Sequence, residues 1–339
     1  MSIKRTAMLL LTALLGVGLL AGCSSKPGDV YKQGANPAPA QQDSKPVTLK
    51  IGLLPFTEGL PYWVAQKNDY FKAQGVDVQL VKFQSANERD TAIMTGNIDG
   101  MVTDLMGVAS MVGTNTAKVH VISVALGANQ KEAPMGIVSA PNSGIKTAAD
   151  LKGKEIAIST NTMMEYVASK LLAENGLTPS DVKFVSIPAL PVRVETLLAG
   201  KVAAAILPDP LFWQTTQQGA TAVLSNAKAK QNYYQSVLVM TDKAIAEKKD
   251  GIQKMLIAYN RGVLDIQTNS AAYKSLMVDN NLLAKEFVDK YNVVPFSVTQ
   301  APDKAGVESV VQWLLDKKIL SSKVSYEQLV DTSLLPKTK

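Results

Sequence analysis

The sequence predicts an α/β fold made of two successive strand–helix series and a helical C-terminal tail. Short apolar runs that alternate like β-strands, of which Val47 to Leu53 is the first, are followed by helix-start signals and a closing glycine. The same order begins again after Pro141. Short connections between strands and helices favour mostly parallel sheets covered by helices on both faces. A chain of 339 residues, 46% hydrophobic and 19% charged, is long enough for two such domains.

The scarcity of cysteine and histidine limits the chemistry that the chain can support. Cys23 and His120 are the single residues of their types. An internal disulfide is therefore excluded, and we expect no metal centre and no cofactor. His120, in the apolar run 119–122, is expected to be a hydrogen-bonded strand residue. The formal charge of +6 is spread along the chain, which favours a solvated basic surface over a nucleic-acid site.

The first residues have the pattern of a secretory signal. Lys4 and Arg5 precede an apolar run from Met8 to Leu20, which is shorter than the ~20 residues of a membrane span. The motif Leu20-Ala21-Gly22-Cys23 resembles the lipobox of bacterial lipoproteins, in which the cysteine is lipidated and becomes the mature N-terminus. We therefore predict a signal peptide at 1–22 and a lipid anchor on Cys23. The alternative is a soluble secreted protein with an incidental cysteine.

A flexible tether is predicted between the anchor and the folded body. Residues 23–46 lack apolar periodicity and contain four prolines. Such a segment would hold a folded body away from the bilayer.

Proline, glycine and capping residues mark where the predicted helices and strands of the first series begin and end. Pro61 suits a first helical turn, and Gly75 ends the helix. Ser85 and Glu88 have the spacing of a capping box at the start of another helix. These signals predict strands at 47–53, 76–83 and 99–102 and helices at 61–74, 86–95 and 105–114.

The second series shows the same kinds of signal. The strand 155–158 leads through the polar run 159–162 into a helix that closes at Asn175-Gly176. Thr178 and Asp181 have capping-box spacing. The remaining signals predict strands at 182–187 and 202–207 and helices at 192–199 and 211–218. Beyond Thr241, apolar residues recur every three or four positions, which predicts amphipathic helices.

Five short motifs stand in order along the folded body. They are Lys50-Ile51-Gly52 followed by 59–65, the run 70–78, the turn 96–100, the run 150–154 and the turn 200–204. With the signal and tether, they resemble the substrate-binding lipoproteins of bacterial ABC importers, in particular the family that binds nitrate, sulfonates, taurine and thiamine precursors. The resemblance covers residues 47–335.

The resemblance implies a type II periplasmic-binding-protein fold, with a ligand cleft between two lobes. It implies a discontinuous first lobe of residues 47–138 and 240–335 and a second lobe of residues 139–239. It also implies that the protein captures a small molecule and delivers it to the permease and ATPase subunits of an importer. We expect a monomer that is held at the membrane by its N-terminal lipid.

Polar residues after the predicted strands are the candidates for ligand contact. Ligands of open α/β sheets bind at the carboxyl ends of strands and at helix N-termini. The resemblance adds the loops that hold Arg193 and Asp209. The candidates are Thr57, Glu58, Tyr62, Gln84, Ser85, Asn87, Thr103, Asp104, Ser159, Thr160, Asn161, Thr162, Arg193 and Asp209. Helix capping is an alternative role for most of them, and Arg193 could instead be solvated in a first helical turn.

The charges of these candidates favour one class of ligand. Three carboxylates, Glu58, Asp104 and Asp209, stand against the guanidinium of Arg193. A buried excess of like charge needs a compensating partner, which favours an amine- or donor-bearing ligand such as a pyrimidine thiamine precursor. A cysteine-rich ligand segment of some thiamine-precursor binders is absent from this sequence. A sulfonate, taurine or nitrate, held by Arg193 and residues 159–162, is the competing hypothesis.

Enzyme signatures are not found in the sequence. The chain has no Gly-x-Ser-x-Gly, Walker or Gly-x-Gly-x-x-Gly motif in its body. Pyrimidine-precursor synthases of eukaryotes share the fold that the resemblance implies, but they are not exported lipoproteins. The sequence therefore predicts reversible binding without turnover. A sensory lipoprotein that binds the same ligand is a third hypothesis.

Overall fold

The computed structural model describes residues 46–132 and 134–336. The predicted signal peptide, the anchor at Cys23 and the tether, except Pro46, lie outside the described residues. No helix among the described residues is long and apolar enough to cross a membrane.

The first series closely follows the predicted elements. They run in the order β1 (Val47–Leu53), α1 (Leu60–Lys67), α2 (Tyr70–Ala73), β2 (Val76–Lys82), α3 (Ala86–Met94), β3 (Gly100–Asp104), α4 (Leu105–Gly113) and β4 (Val119–Leu126). The predicted helix at 61–74 is divided in two because Asp69 has a left-handed backbone, with φ of +55°. The Asn68 amide at this break donates to Asp265 at 2.9 Å, so tertiary contacts hold the break in place.

The second series also confirms the predicted strands and helices within a few residues. Its elements are β5 (Met135–Ser139), β6 (Glu155–Ile158), α5 (Met163–Glu174), β7 (Lys183–Ser186), α6 (Leu190–Leu198), β8 (Ala204–Pro208), α7 (Leu211–Gln217) and β9 (Thr221–Ser225). The capping box of Thr178 and Asp181 is present, and it opens a short 3-10 turn before β7.

A strand, β10 (Ser236–Thr241), precedes the tail. Beyond Thr241 the tail is mainly helical, as predicted. Its helices are α8 (Asp242–Glu247), α9 (Lys249–Asn269), α10 (Lys274–Asp279), α11 (Lys304–Asp316) and α12 (Tyr326–Leu329).

The strands of the described residues form two five-stranded mixed sheets. Their orders are β2-β1-β3-β10-β4 and β7-β6-β8-β5-β9. Strand β10 pairs antiparallel with β3 and β4, and β5 pairs antiparallel with β8 and β9. In each of these sheets the other four strands therefore run in one direction, which confirms the expectation of mostly parallel sheets, and β10 and β5 run in the opposite direction. We call the bodies built on the first and second sheets lobe 1 and lobe 2.

The chain crosses between the sheets earlier than the sequence analysis placed the crossings. The expected crossings at 138–139 and 239–240 lie inside β5 and β10, and each of these strands pairs within one sheet. The chain therefore passes between the sheets from Leu126 to Met135 and from Ser225 to Ser236. An apolar run predicts a strand, but it does not show which sheet the strand joins.

Helix α9 packs closely on α1 and completes the core of lobe 1. A Cβ atom at Gly262 would lie 2.6 Å from the carbonyl oxygen of Pro61, so glycine permits the close contact of the two helices. In β4, the edge strand of the same sheet, His120 Nδ1 lies 2.8 Å from Asp242 Oδ1. This contact confirms the expected role of His120 as a hydrogen-bonded strand residue. The loops after β1 and β3 are thus attached to a well-packed body.

Candidate ligand cleft

The loop after β1 enters the interior of the molecule. Thr57 is 1% exposed and Glu58 is 9% exposed, and both lie in a 3-10 turn that precedes α1. Burial raises the pKa of the Glu58 carboxyl to about 7, although Arg89 and the Ser236 hydroxyl favour its ionised form. Glu58 is therefore a buried acid that changes charge near neutral pH.

A second carboxyl of lobe 1 lies close to Glu58. Asp104 ends β3 and pairs in register with Ser236 of β10. Its Oδ1 accepts a hydrogen bond from Gly107 N at 2.9 Å, so the capping role expected as an alternative is present. Burial raises the pKa of Asp104. Because a carboxylate accepts at both oxygens, capping leaves Asp104 able to bind a ligand donor.

Tyr234 joins this pair of carboxyls from the segment that returns to lobe 1. Burial raises the pKa of its hydroxyl, and the charges of Glu58 and Asp104 raise it further. The next residue but one, Ser236, is fully buried and donates to the Thr103 carbonyl at 3.1 Å. Glu58, Asp104 and Tyr234 therefore form an acidic cluster in lobe 1.

The guanidinium nearest to this cluster binds oxygens of its own lobe. Arg89 of α3 is 5% exposed. It donates to the Val102 carbonyl at 2.9 Å, to Thr103 Oγ1 at 3.0 Å and to Asp90 Oδ1 at 2.8 Å. Arg89 thus holds the end of β3 in place, and Thr103, a predicted ligand residue, is a buried acceptor for it.

Arg193 has the corresponding position in lobe 2. It is fully buried and donates to the Ile187 carbonyl at 2.8 Å, to the Ile206 carbonyl at 3.0 Å and to the Ser159 hydroxyl. Burial lowers its pKa to about 10, so the group remains charged at neutral pH. The solvated role does not describe this side chain, because its planar donors are directed at acceptors of the protein.

The turn after β6 combines capping with an exposed polar surface. Thr162 Oγ1 accepts from Met164 N at 3.2 Å, which confirms the N-cap of α5. Asn161 has a left-handed backbone and its N–H donates to Glu165 at 2.6 Å. Thr160 is exposed and lies 3.1 Å from the Ser186 hydroxyl. Ser159 is buried under Arg193, so Thr160 and Asn161 are the exposed residues of this turn.

The predicted candidates differ greatly in burial. Gln84, Ser85 and Asn87 are exposed at the start of α3, where Ser85 accepts from Glu88 N at 3.3 Å. Tyr62 is 1% exposed, and its ring centroid is 4.8 Å from that of Tyr259 in the core of lobe 1. Tyr62 is therefore a packing residue in this structure.

Asp209 of lobe 2 lies against lobe 1. Its carboxylate accepts a hydrogen bond from the Tyr291 hydroxyl, and its backbone carbonyl accepts from Thr57 Oγ1 at 3.3 Å. Burial raises the pKa of Asp209 to about 7, and the Tyr291 hydrogen bond opposes this effect. The Trp213 ring packs edge-on against Tyr291 at 5.2 Å. Asp209 thus joins the two lobes directly.

The lobes also meet through α5 and α11. Tyr166 of α5 donates to Ser309 Oγ at 2.9 Å, and its ring packs edge-on against Trp313 at 5.9 Å. Lys317 pairs with the buried carboxylate of Glu165. Helix α11 packs on α4 of lobe 1. Contacts between the lobes are therefore present on two sides.

Sequence reasoning missed Arg89, Tyr234, Ser236 and Tyr291. The sequence did contain a signal for Arg89. The spacing from Arg89 to Gly96 is the same as the spacing from Arg193 to Gly200. Each arginine also donates to the carbonyl of the residue thirteen positions later. The repeat relates α3 and β3 to α6 and β8. No local pattern marks Tyr234, Ser236 or Tyr291, because tertiary packing brings them to the cleft.

The described residues form two mixed sheets that are joined by two connections, and polar side chains lie where the lobes meet. This architecture is that of a periplasmic-binding-protein fold. The family model described as NMT1/THI5 like matches residues 57–271. The chain belongs to this family of solute-binding proteins.

Known proteins similar to this chain include binders and an enzyme. A Brachyspira hyodysenteriae protein described as an ABC transporter periplasmic binding protein is 25% identical over 300 residues, which cover 84% of this chain and 77% of the relative. The 4-amino-5-hydroxymethyl-2-methylpyrimidine phosphate synthase of Schizosaccharomyces pombe is 27% identical over 139 residues, which cover 40% of this chain and 38% of the enzyme. The periplasmic aliphatic sulphonate binding protein of Escherichia coli matches in structure with a TM-score of 0.71 and 16% identity, covering 87% of this chain and 95% of that protein.

Proposed function

We propose that this protein is the extracytoplasmic solute-binding component of an ABC importer. The two-lobed fold, the family membership and the similarity to an ABC transporter binding protein support this function. In this proposal, the lobes close over a small molecule, and the closed form is presented to the permease of the importer. The segments 127–134 and 226–235 connect the sheets and would serve as the hinge.

The proposed ligand carries an amine or a donor-rich heterocycle. The observation that carries this choice is the pair of carboxyls, buried Glu58 and half-buried Asp104, beside a guanidinium that already binds protein oxygens. Arg193 is likewise engaged by its own lobe. Buried acids with raised pKa values are stabilised when a ligand supplies positive charge or N–H donors. The name of the S. pombe relative is consistent with a pyrimidine ligand.

A small anion is the second candidate for the ligand. The exposed residues Thr160 and Asn161 at the N-terminus of the twelve-residue helix α5 favour it, because backbone N–H groups and the helix dipole attract anions. The structural similarity to a sulphonate binder is in line with this alternative. A thermal-shift panel of amines, pyrimidines, sulfonates and nitrate separates the two, since only one class should stabilise the protein.

Replacing Asp104 by Asn is expected to weaken an amine ligand by about 1 to 3 kcal/mol, because the variant removes a buried charge partner. Asparagine retains the N-cap of α4, so the fold should be preserved. Titration calorimetry with a ligand from the panel measures the effect. The matched control is Asp77→Asn on the exposed side of β2, which should bind as wild type. Equal affinity of Asp104→Asn and wild type would remove Asp104 from the site.

The proposed activity is binding without turnover. Incubation of the purified protein with its ligand, followed by mass spectrometry of the released compound, tests this point. Recovery of unchanged ligand supports a binding protein, whereas a stoichiometric or catalytic product indicates a synthase-like enzyme. Uptake of labelled ligand by cells that lack the protein distinguishes an importer component from a sensory lipoprotein, because only loss of the importer component abolishes uptake.

Cys23 is proposed as the site of lipidation and of membrane attachment. Replacing Cys23 by Ser is expected to move the protein from the membrane fraction to the soluble extracytoplasmic fraction, because the acylated residue would be lost. Cell fractionation and immunoblotting measure the distribution. Replacing Ser25 by Ala is the matched control and should leave the protein in the membrane fraction. Retention of the Cys23→Ser protein at the membrane would contradict lipid anchoring.

A further inference from the structure

A salt bridge adjoins the acidic cluster of lobe 1. Arg89 Nε and Nη2 donate to Asp90 Oδ1 at 3.0 and 2.8 Å. The same guanidinium joins α3 to β3, because Nη1 donates to the Val102 carbonyl at 2.9 Å and Nη2 donates to Thr103 Oγ1 at 3.0 Å. The Arg89 and Asp90 side chains are 6% and 25% exposed. Asp90 therefore holds the guanidinium on its more exposed side, and the end of β3 holds it on the buried side.

The charges of this salt bridge act on the carboxyls of the cluster. Asp104 directly follows Thr103, which is an acceptor for Arg89. Burial is the main reason for the raised pKa values of Glu58 and Asp104, and the charge of Arg89 opposes it at both carboxyls. The charge of Asp90 acts in the other direction and raises the pKa of Asp104. Asp90 thus weakens the effect of Arg89 on the cluster.

The charge balance of lobe 1 depends on Asp90. Because Arg89 and Asp90 form an ion pair, their charges largely cancel, and ionised Glu58 and Asp104 retain their demand for a cation or for N–H donors. Without the Asp90 charge, the guanidinium would offset one of the two carboxylates. It would also repel an ammonium group that enters the cleft.

The corresponding arginine of lobe 2 has a different neighbour. Arg193 has the position of Arg89 in the repeat, and each donates to the carbonyl of the residue thirteen positions later. The residue that follows Arg193 is Val194 rather than an aspartate. An arginine at this position therefore joins its helix to its strand without an adjacent acid. The aspartate of lobe 1 is an addition to that structural role.

We propose that Asp90 is a positioning residue for the ligand cleft, which acts through Arg89 to make lobe 1 selective for cationic or N–H-donating ligands over anions. It holds the guanidinium at the end of β3 and balances its charge. The inference rests on the proposed function in taking Glu58 and Asp104 as the groups that face the ligand.

The pH dependence of stability tests this role without a ligand. The charged and titratable groups that act on Glu58 from the surrounding elements are Arg89, Asp104, Tyr234 and Tyr259. Asp90→Asn leaves Arg89 unbalanced, so the pKa of Glu58 is expected to fall. The loss of stability with rising pH should then end about 0.5 unit or more below pH 7. Chemical unfolding at a series of pH values measures this limit, and Asp77→Asn, the matched control, should leave it unchanged.

A merely structural role of Asp90 gives a different result. Asparagine retains an oxygen that can accept from Arg89, so the fold should be preserved. A lost contact would lower the free energy of unfolding equally at every pH, whether position 58 is Glu or Gln. We expect instead that most of the pH-dependent effect of Asp90→Asn disappears in the Glu58→Gln background, and that Asp90→Glu restores the wild-type profile. An unchanged pH limit in Asp90→Asn would overturn the proposal.

Ligand selectivity is the second measurement. At pH 7, Asp90→Asn is expected to bind an amine from the panel about threefold or more weakly than wild type and to bind a sulfonate more tightly. Equal changes for both ligand classes would contradict a role in selectivity. The stability profile needs no ligand, so its outcome is independent of the panel that tests the proposed function.

Discussion

Replacing Arg193 by Leu is expected to lower the free energy of unfolding by about 3 kcal/mol or more. The guanidinium donates to the carbonyls of Ile187 and Ile206 and to the Ser159 hydroxyl. Leucine fills part of the volume but leaves these buried acceptors without donors, and each such loss costs about 1 to 3 kcal/mol. Urea unfolding followed by circular dichroism measures the effect.

Two further variants make the Arg193 result specific. Arg193→Lys retains the charge but replaces a planar fork by a point donor, so its stability should lie between those of wild type and Arg193→Leu. Lys201→Leu removes an exposed cation from the same lobe and should change stability by less than about 0.5 kcal/mol. If Arg193→Leu were as stable as wild type and lost only the binding of an anion, Arg193 would be a ligand anchor.

The stability of the protein is expected to fall as the pH rises from about 4.5 to about 7. The folded-state pKa of Glu58 is about 7, above its ordinary value of 4.5. Between these values the folded state holds a proton that the unfolded state has released, so raising the pH favours unfolding. The Glu58 contribution is complete below pH 4.5, is lost progressively up to pH 7 and is constant above it. Its upper limit is about 3 kcal/mol.

Glu58→Gln isolates this contribution, because glutamine resembles the protonated acid at every pH. The variant is expected to be more stable than wild type above pH 7 and to show a flatter pH profile between 4.5 and 7. Asp209→Asn should likewise be more stable than wild type above pH 7 and show a flatter pH profile of stability, since burial raises the pKa of Asp209 to about 7. Chemical unfolding at a series of pH values measures both variants.

Asp150 is the matched control with the opposite sign. Hydrogen bonds from Lys146 and Thr147 lower its pKa, so its stabilising contribution is present above its unfolded-state pKa and is lost on acidification. Asp150→Asn should therefore reduce stability at neutral pH. Identical pH profiles for wild type and Glu58→Gln would show that Glu58 is ionised in the folded protein throughout this range.

The same titration links pH to the proposed ligand. An ammonium group stabilises the ionised forms of Glu58 and Asp104, so the affinity for an amine is expected to rise with pH up to about 7. An anionic ligand would show the opposite dependence. The pH profile of affinity thus discriminates between the two ligand classes independently of any substitution.

Local patterns predicted the elements of the fold but not their pairing. Alternating residues at 47–53 and the glycine at position 75 marked β1 and the end of α2, because strand periodicity and left-handed turns are local properties. The predicted helix at 61–74 failed at Asp69, where contacts between Asn68 and Asp265 across the sequence support a break. The antiparallel positions of β5 and β10 depend on the return path of the chain between the sheets.

The candidate site was predicted by its backbone position rather than by its contacts. Glu58, Asp104 and Asp209 follow strand ends, as the sequence indicated, and the structure places them in buried surroundings. The predicted charge balance counted Arg193 as available to a ligand. Its donors are instead bound to oxygens of lobe 2, a fact that requires the distances between α6 and the strands beside it.

The sequence by itself determined the two strand–helix series, the helical tail, the N-caps at Ser85, Asp104 and Thr162, and the family. These features depend on residues near one another in the chain or on motif order. Only the tertiary structure decided where the chain crosses between the sheets and which side chains join the cleft. Tyr291 meets Asp209, and Tyr234 meets Glu58, across long stretches of sequence. These long-range contacts, like the burial that shifts the pKa values, arise from tertiary packing. Tertiary packing leaves no periodic pattern in the sequence.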